Sequence, residues 1–294
     1  MKRGGGWFRF AFLAPAMGLY GLLFLYPVAQ AFFMSLFNWS GLSDNREYVG
    51  LKNFQDLAKD KIFVGAIQHN LIIFVGCGIA VLLIAIVVAH LLQGNGRLTK
   101  ALRASYLLPH MVSMVIVAVM WRFIFNPTLG PVTIIAKALG VKDPPAWLGD
   151  TKTALLCVMV AFIWYGFCFY SMLFAAGIKG IPEEIYEAAD LDGVRPWQRF
   201  RQITWPLLWS IKRMTLTHVA IATMNMFALV QLMTAGGPNR SSEVMLTYLY
   251  ETGFSNSDFG YATALATVNL VVVLAVAGVI NFIYRRNPSG GRDS

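Results

Sequence analysis

Residues 70–92 read NLIIFVGCGIAVLLIAIVVAHLL and include no lysine, arginine, aspartate or glutamate. A helix rises about 1.5 Å per residue, so about 20 apolar residues cross a hydrocarbon layer about 30 Å thick. Strands of an ordinary sheet are only about 3–10 residues long. The stretch therefore predicts a helix that spans a membrane.

Five further segments on either side of this stretch are comparably apolar. The predicted membrane-spanning helices are 10–36, 70–92, 106–125, 154–178, 214–233 and 261–284. Lys2 and Arg3 precede the first segment, as in a signal peptide. Its apolar run, however, far exceeds the roughly 7–15 residues of a signal sequence, and no A-x-A-like cleavage site follows. We therefore expect an all-α, polytopic membrane protein with six transmembrane helices.

Composition supports the same class. Of the 294 residues, 57% are hydrophobic and only 13% are charged, whereas soluble domains average about 25% charged residues. The net charge of +9 could indicate nucleic-acid binding, which requires basic residues clustered on a water-exposed face. Here the basic residues lie mostly between the apolar segments. We therefore expect membrane lipid around the chain and no nucleic-acid partner.

The cations of the loops predict the orientation. Lysine and arginine are nearly twice as numerous in the two termini, the second-to-third loop and the fourth-to-fifth loop as in the remaining loops. Cytoplasmic loops carry such an excess, so both termini are expected in the cytoplasm. The predicted organisation is a tail over 1–9, a six-helix transmembrane domain over 10–284 that includes a cytoplasmic loop over 179–206, and a second tail over 285–294.

The six segments contain few ionisable groups. They hold no Asp, Glu or Lys, and their ionisable residues are His90, His110, His218 and Arg122. Proton- and sodium-driven transporters usually carry such groups because the coupling ion binds there. A lone histidine more often bonds a neighbouring helix than relays a proton. The sequence also lacks the re-entrant glycine-rich loop and the carboxylate ring of a filter-type channel.

The loops lack the motifs of an enzyme. No Gly-x-x-x-x-Gly-Lys-[Ser/Thr] loop occurs, so ATP cannot be bound by a P-loop of this chain. Cys77, Cys157 and Cys168 lie within apolar segments and match no metal-ligand spacing. We expect buried thiols, no metal, no cofactor and no catalytic residue.

The fourth-to-fifth loop reads GIPEEIYEAADLDGVRPWQRFRQITWP over residues 180–206. Pro182 suits the first position of a helix, and Glu183 and Glu184 complement the positive end of its dipole. Gly193 is placed to take the left-handed conformation that ends a helix, and Pro196 can start another. The loop is therefore predicted to be two short helices joined by a glycine.

The second of these helices carries an aromatic and basic face. Trp197, Phe200 and Ile203 share one side of it, and arginines surround them. Such a helix can lie in the lipid headgroup layer, or it can insert into a cytoplasmic partner. Spacing alone leaves both interpretations open.

The same loop resembles a family signature, the EAA motif of permease subunits in binding-protein-dependent ABC importers. The matching residues are Glu187, Ala188, Ala189, Gly193, Ile203 and Pro206. In that family the motif forms the coupling helices that dock into a groove of the ATP-binding subunit. The resemblance therefore implies docking by Glu187, Ala188, Ala189 and Gly193. Trp205 departs from the pattern, in which leucine is usual, but it is also bulky and apolar.

Further motifs extend the resemblance along nearly the whole chain. They are Pro15, Tyr26-Pro27, Ser35, Asn38-Trp39, VGLKNF at 49–54, LLP at 107–109, Trp121-Arg122 with Asn126-Pro127 and Gly130, and Gly236-Gly237-Pro238. The last is similar to the maltose-permease-like member of an unlike pair. The resemblance implies a sugar permease of the bacterial plasma (inner) membrane. It also implies a heterodimer with a second permease subunit, a dimer of cytoplasmic ATP-binding subunits and an extracytoplasmic solute-binding protein.

The resemblance also implies a solute site near mid-membrane on the third, fourth and fifth helices. The residues that match it are His110, Trp164, Gly166, Thr223 and Asn225. They suit a carbohydrate, because aromatic faces stack on sugar C–H groups and amide or imidazole groups bond hydroxyls. A glycine lets the backbone approach closely. Alternatively, the aromatic residues pack against lipid or helices, and the amide bonds a neighbouring helix.

Three functions remain open at this point. The leading one is the permease subunit of an ATP-driven carbohydrate importer, in which a separate chain hydrolyses ATP. The second is an ion-coupled secondary sugar carrier. The third is a membrane scaffold that docks a cytoplasmic partner without transport. For the importer, an oligosaccharide is the first expectation for the solute, ahead of a disaccharide, a glucosyl polyol or glycerol phosphate.

Overall fold

The computed structural model describes residues 5–41, 45–93 and 108–285, with the side chains of all of these except 5–9 and 108. Most of this part of the chain is helical. Four helices in it are long and apolar enough to cross a bilayer: Phe10–Met34, Lys61–Leu91, Ala154–Lys179 and Phe259–Ile283. They correspond to the first, second, fourth and sixth predicted spans. The first is continuous through a π-helical turn at Gly21–Leu25.

The third and fifth predicted spans are not continuous helices, and the prediction of unbroken helices over 106–125 and 214–233 is corrected here. The third is divided into Leu108–Met111 and Met114–Ile124, and residues 106 and 107 lie outside the described part. The fifth is divided into Trp209–Met224 and Ala228–Met233. Helix breaks at membrane depth require partners for the freed backbone groups and occur where they line a cavity or are covered by protein.

Shorter elements complete the described chain. The remaining helices are Lys52–Lys59, Pro131–Ala138, Glu183–Leu191, Pro196–Arg199, Trp205–Leu207 and Met245–Tyr250, with 3-10 or π turns at Trp147–Gly149, Phe200–Thr204 and Glu251–Ser255. The all-α class needs one small correction, because strands Phe37–Asn38 and Glu47–Tyr48 pair antiparallel.

The chain divides into two compact units. Residues up to Phe63 together with Tyr248–Val271 form the first unit, and Val64–Thr247 together with the residues from Val272 form the second. In the first unit, the buried Asn53 amide donates to the backbone oxygens of Ser35 at 2.8 Å and Phe37 at 3.0 Å. These bonds hold the strand pair against the helix Lys52–Lys59.

Asp60 is the polar centre of the first unit. Its carboxylate accepts hydrogen bonds from the hydroxyls of Tyr248 (2.5 Å) and Tyr261 (2.9 Å) and from the backbone N–H groups of Ile62 and Phe63. Partial burial raises the pKa of Asp60, but these four bonds to the charged form outweigh burial, so the pKa lies below its ordinary value. The ionised carboxylate therefore caps the helix that begins at Lys61.

We expect Asp60→Asn to destabilise the protein by about 1–2 kcal/mol at neutral pH, because an acceptor of four bonds is weakened. A depressed pKa contributes stability that is present above the unfolded value, about 4, and is lost as the pH falls through the folded value. The difference from wild type should therefore shrink on acidification. Thermal unfolding in detergent measures it. Asp143→Asn, at an exposed position, is the control, and a pH-independent difference would contradict the account.

The second unit holds the main apolar core. Helix Lys61–Leu91 contributes one stripe of buried residues at a spacing of four: Ile73, Cys77, Val81, Ala85 and Ala89. This stripe packs with buried residues of Ala154–Lys179, including Cys157, Val158 and Phe162. Small side chains let membrane helices approach closely. All three cysteines are buried and unbridged, as expected from the sequence.

Candidate functional site

A cavity of about 330 Å³ lies in the second unit where the two broken helices meet the helix Ala154–Lys179. Its lining residues are His110, Met114, Phe162, Tyr165, Gly166, Tyr170, His218, Ala222, Asn225, Met226, Phe227, Ala228 and Leu229. Both breaks contribute, since residues on either side of 112–113 and of 225–227 line it. The volume is within the range of small-molecule sites, about 300–1,000 Å³.

Three of the five predicted solute-site residues line this cavity: His110, Gly166 and Asn225. Trp164 is not among the lining residues, and its ring packs at 5.8 Å, edge to face, on Trp121. Thr223 is fully buried, and its hydroxyl donates to the backbone oxygen of Val219 in its own helix. These two side chains are placed for packing between helices.

His110 lies in the short helix Leu108–Met111, with its ring against aromatic neighbours. The ring centroids of Tyr165 and Phe169 are 4.8 and 4.9 Å away, and Phe169 is stacked on it. Its buried Nδ1 has no hydrogen-bond partner among the described residues. An imidazole nitrogen that lacks a partner beside a cavity can bond a hydroxyl group of a bound molecule.

Tyr170 and His218 form a polar pair at the cavity. The predicted site did not include either residue. The Tyr170 hydroxyl and the Nδ1 of His218 are 2.9 Å apart, and both residues line the cavity. The bond joins two helices, which confirms the expected role of His218 as a helix-bonding histidine. Its position among apolar residues was the available clue, since polar groups at membrane depth tend to face a cavity.

The cavity wall therefore combines apolar and aromatic surface with a few hydrogen-bonding groups. Asn225 follows the end of helix Trp209–Met224, and its amide donates to the Ile221 oxygen at 2.9 Å. Gly166 lies so near the Tyr170 ring that an added Cβ would be 3.1 Å from it. No Asp, Glu, Lys or Arg is among the lining residues. These aromatic and hydrogen-bonding groups suit a hydroxyl-bearing molecule.

The loop over 179–206 folds nearly as the sequence predicts. The first helix runs from Glu183 to Leu191 with Pro182 just before it rather than as its first residue. Gly193 has a φ of +68°, the left-handed conformation expected of it, and the next helix begins at Pro196. Two short helices joined by a glycine are thus confirmed.

Side-chain contacts join the two short helices of the loop and connect the loop to the helix that follows it. Arg199 forms an ion pair with Asp190 at 2.8 Å, and the hydroxyls of Tyr186 and Thr204 are 3.2 Å apart. The ammonium group of the buried Lys212 donates to the Trp205 backbone oxygen at 2.7 Å, and it lies 4.2 Å from the centre of the Trp205 indole ring. The last contact connects the loop to the helix Trp209–Met224, whose far end reaches the cavity.

The predicted docking residues differ in exposure. Glu187, Ala188 and Gly193 are exposed, whereas Ala189 is only 5% exposed. The loop also presents three large apolar side chains, Leu191 (89% exposed), Trp197 (68% exposed) and Ile185 (37% exposed).

The aromatic face of the second helix is therefore divided. Phe200 packs against the apolar core of the unit, and Trp197 stacks on it with ring centroids 5.6 Å apart. The outer surface of the loop combines these small and apolar groups with acidic residues of the first helix, Glu183, Glu184 and Glu187, and with the exposed Arg195 and Arg201.

Comparison with known proteins identifies the fold and the family. Residues 62–288 match the family described as binding-protein-dependent transport system inner membrane component. The chain is 34% identical to the probable ABC transporter permease protein YurN of Bacillus subtilis, over 91% of this chain and 92% of that protein. It is 31% identical to the diacetylchitobiose uptake system permease protein NgcF of Streptomyces coelicolor, over 97% and 84%.

A solved structure agrees with this assignment. The bacterial alginate ABC transporter, in complex with an alginate pentasaccharide-bound periplasmic protein, contains a chain similar to this one with a TM-score of 0.79 and 25% identity, over 97% of this chain and 96% of that one. The sequence match covers the cavity and the 179–206 loop alike. This chain therefore belongs to the family of inner membrane components of binding-protein-dependent transport systems.

Proposed function

We propose that the chain is the permease subunit of an ATP-driven importer that passes a carbohydrate, delivered by an extracytoplasmic binding protein, across the inner membrane. The observation that carries the proposal is the cavity at the two helix breaks. The same chain exposes small and apolar side chains on its 179–206 loop, where a partner subunit could bind. The proposed partners are a second permease subunit and a dimer of ATP-binding subunits. An ion-coupled carrier has no comparable support.

The proposed topology has six membrane crossings, of which the third and fifth are interrupted. Both tails, 1–9 and 285–294, and the 179–206 loop would then face the cytoplasm, in agreement with the distribution of loop cations. In this arrangement Glu187, Ala188 and Gly193 contact the ATP-binding subunit, and the buried Ala189 supports them from within the loop. The contact between Lys212 and Trp205 would pass movement of the loop to the fifth helix.

The proposed solute is a neutral or weakly charged sugar. His110, Tyr165 and Asn225 offer an imidazole, an aromatic ring and an amide. Gly166 has no side chain and so leaves room for the solute beside the helix backbone. Trp164 and Thr223 support the wall from behind. The diacetylchitobiose and alginate systems named above handle carbohydrates, which agrees with this chemistry. The absence of cations from the lining set disfavours a phosphorylated solute.

We expect Asn225→Ala to lower carbohydrate uptake by about tenfold while basal ATPase activity of the assembled transporter is unchanged, because one amide that bonds solute hydroxyls is lost. Asn281→Ala is the matched control, since the Asn281 amide also donates four residues back along its own helix, to Ala277 at 2.8 Å. Equal uptake by the two variants would exclude a solute contact by Asn225.

Reconstitution tests the function as a whole. The four-part transporter in proteoliposomes is supplied with binding protein and with labelled disaccharides, oligosaccharides and glycerol phosphate. Uptake should require internal ATP, external binding protein and a carbohydrate. Uptake driven by a proton or sodium gradient without ATP would contradict the proposal.

A further inference from the structure

Asn70 is a polar residue buried at the start of the most apolar stretch of the chain. It lies in the helix Lys61–Leu91 and is 0% exposed. An amide buried away from water is unfavourable unless its donors and acceptors are bonded. Asn70 satisfies both through bonds to two different segments.

The first bond lies at the end of the helix Trp209–Met224, the first part of the broken fifth span. The Asn70 Nδ2 donates to the backbone oxygen of Thr223 at 2.7 Å. Helix Trp209–Met224 stops one residue later, where the Thr223 backbone oxygen also accepts from the Met226 N–H at 3.3 Å. Asn70 therefore supplies a bond at the point where the chain leaves the helix and enters the cavity wall at Asn225.

The second bond holds the segment that follows the fifth helix. The Asn70 Oδ1 accepts from the backbone N–H of Met245 at 2.9 Å, and the adjacent His69 ring nitrogen is 2.8 Å from the Glu243 oxygen. Met245 is the first residue of the helix Met245–Tyr250, so its N–H is one of those that a helix leaves unpaired.

The segment 234–244, which we call the Gly-Gly-Pro loop, is itself tightly bonded. The buried Glu243 carboxylate accepts from Arg240 at 3.0 Å and from the Thr247 hydroxyl. Gly236 has a φ of +78°, and a Cβ there would overlap that carboxylate at 2.4 Å. His69 and Asn70 thus join the end of this loop, the helix start that follows it and the helix end beside the cavity to the same point of the second span.

We propose that Asn70 is a positioning residue, whose amide sets the register between the cavity wall at Asn225 and the Gly-Gly-Pro loop. This inference rests on the proposed function, because the register matters for how the solute is held. Asn70 does not line the cavity, so it acts through Thr223 and the residues after it.

Two variants of similar size separate the two bonds. Asn70→Leu removes both. Asn70→Asp keeps an acceptor for Met245 at every pH, but it can donate to Thr223 only while its carboxyl group is protonated. The native titratable groups bonded in this region are His69, Arg240 and Glu243; they are common to all three proteins and are accounted for by the wild-type profile.

Hydrogen exchange on the purified complex, without solute, reports the Met245 bond directly. The Met245 amide should exchange about tenfold faster in Asn70→Leu than in wild type or Asn70→Asp. Equal protection in all three proteins would overturn the proposal. Since no solute is needed, this result stands even if wild type takes up no carbohydrate and the proposed function fails.

Uptake reports the Thr223 bond, with the carbohydrate that wild type takes up in the panel above as the probe. Between about pH 5 and pH 8.5, uptake by Asn70→Asp relative to wild type should fall as the carboxyl ionises, from near wild type toward the level of Asn70→Leu. A ratio to wild type that does not change with pH would overturn the positioning role. Retained assembly of both variants with the ATP-binding subunit shows that they fold.

Discussion

Ala188→Trp is expected to abolish ATP-dependent uptake, and the ATP-binding subunit should no longer copurify with the variant. Ala188 is exposed on the helix Glu183–Leu191, where a small side chain lets a partner surface approach the backbone. An indole at this position holds the two surfaces apart. A contact of this kind at the centre of an interface is worth several kcal/mol, so we expect a loss of affinity on the order of a hundredfold.

The matched control is Ala138→Trp, at an exposed alanine that ends the helix Pro131–Ala138. It introduces the same indole at a site far along the chain from the loop, and uptake should be unchanged. If Ala188→Trp retained the ATP-binding subunit and transported normally, residue 188 would lie outside the interface.

Gly166→Leu should reduce uptake by roughly tenfold or more while the ATP-binding subunit remains bound and basal ATPase activity continues. Gly166 lines the cavity, and even a Cβ there would be 3.1 Å from the Tyr170 ring. A leucine side chain must therefore either fill the cavity or displace Tyr170, and overpacking of this kind costs about 1–3 kcal/mol. Both outcomes remove room for a solute.

Gly278→Leu controls for the change in helix propensity. Gly278 lies within the helix Phe259–Ile283, is exposed, and has no atom within 4 Å of an added Cβ. This variant should transport like wild type. Normal uptake by Gly166→Leu would mean that the solute passes elsewhere.

The membrane class and four of the spans follow from the sequence because hydrocarbon thickness alone sets the length of an apolar run. The breaks in the third and fifth spans do not, since residues 112–113 and 225–227 include no proline or glycine. At the second break, the Asn70 amide donates a tertiary hydrogen bond to the Thr223 backbone oxygen. Averaged hydropathy cannot register a bond between residues so far apart in the chain.

The 179–206 loop was the more predictable site. Gly193 and Pro196 are strong local determinants, and the structure places them as expected. The burial of Ala189 was not foreseen, because the EAA pattern names consecutive residues that point in directions about 100° apart on a helix. One of the three therefore faces inward.

The cavity was less predictable for a related reason. A spanning helix that is apolar on all sides has no polar stripe to fix its rotation. The sequence could not therefore distinguish Trp164, which packs on Trp121, from its neighbour Tyr165, which lines the cavity. Tyr170 and His218 were missed because their pairing depends on the same unknown rotation.

The central claim is that the 179–206 loop docks on the ATP-binding subunit from the cytoplasm. Ala188→Cys tests it, since the three native cysteines are buried. In sealed vesicles of the assembled transporter, a short thiol crosslinker should join this cysteine to a cysteine in the groove of the ATP-binding subunit, with a yield that changes when ATP is added. Labelling by an impermeant reagent from the outer side, with no crosslink, would contradict the account.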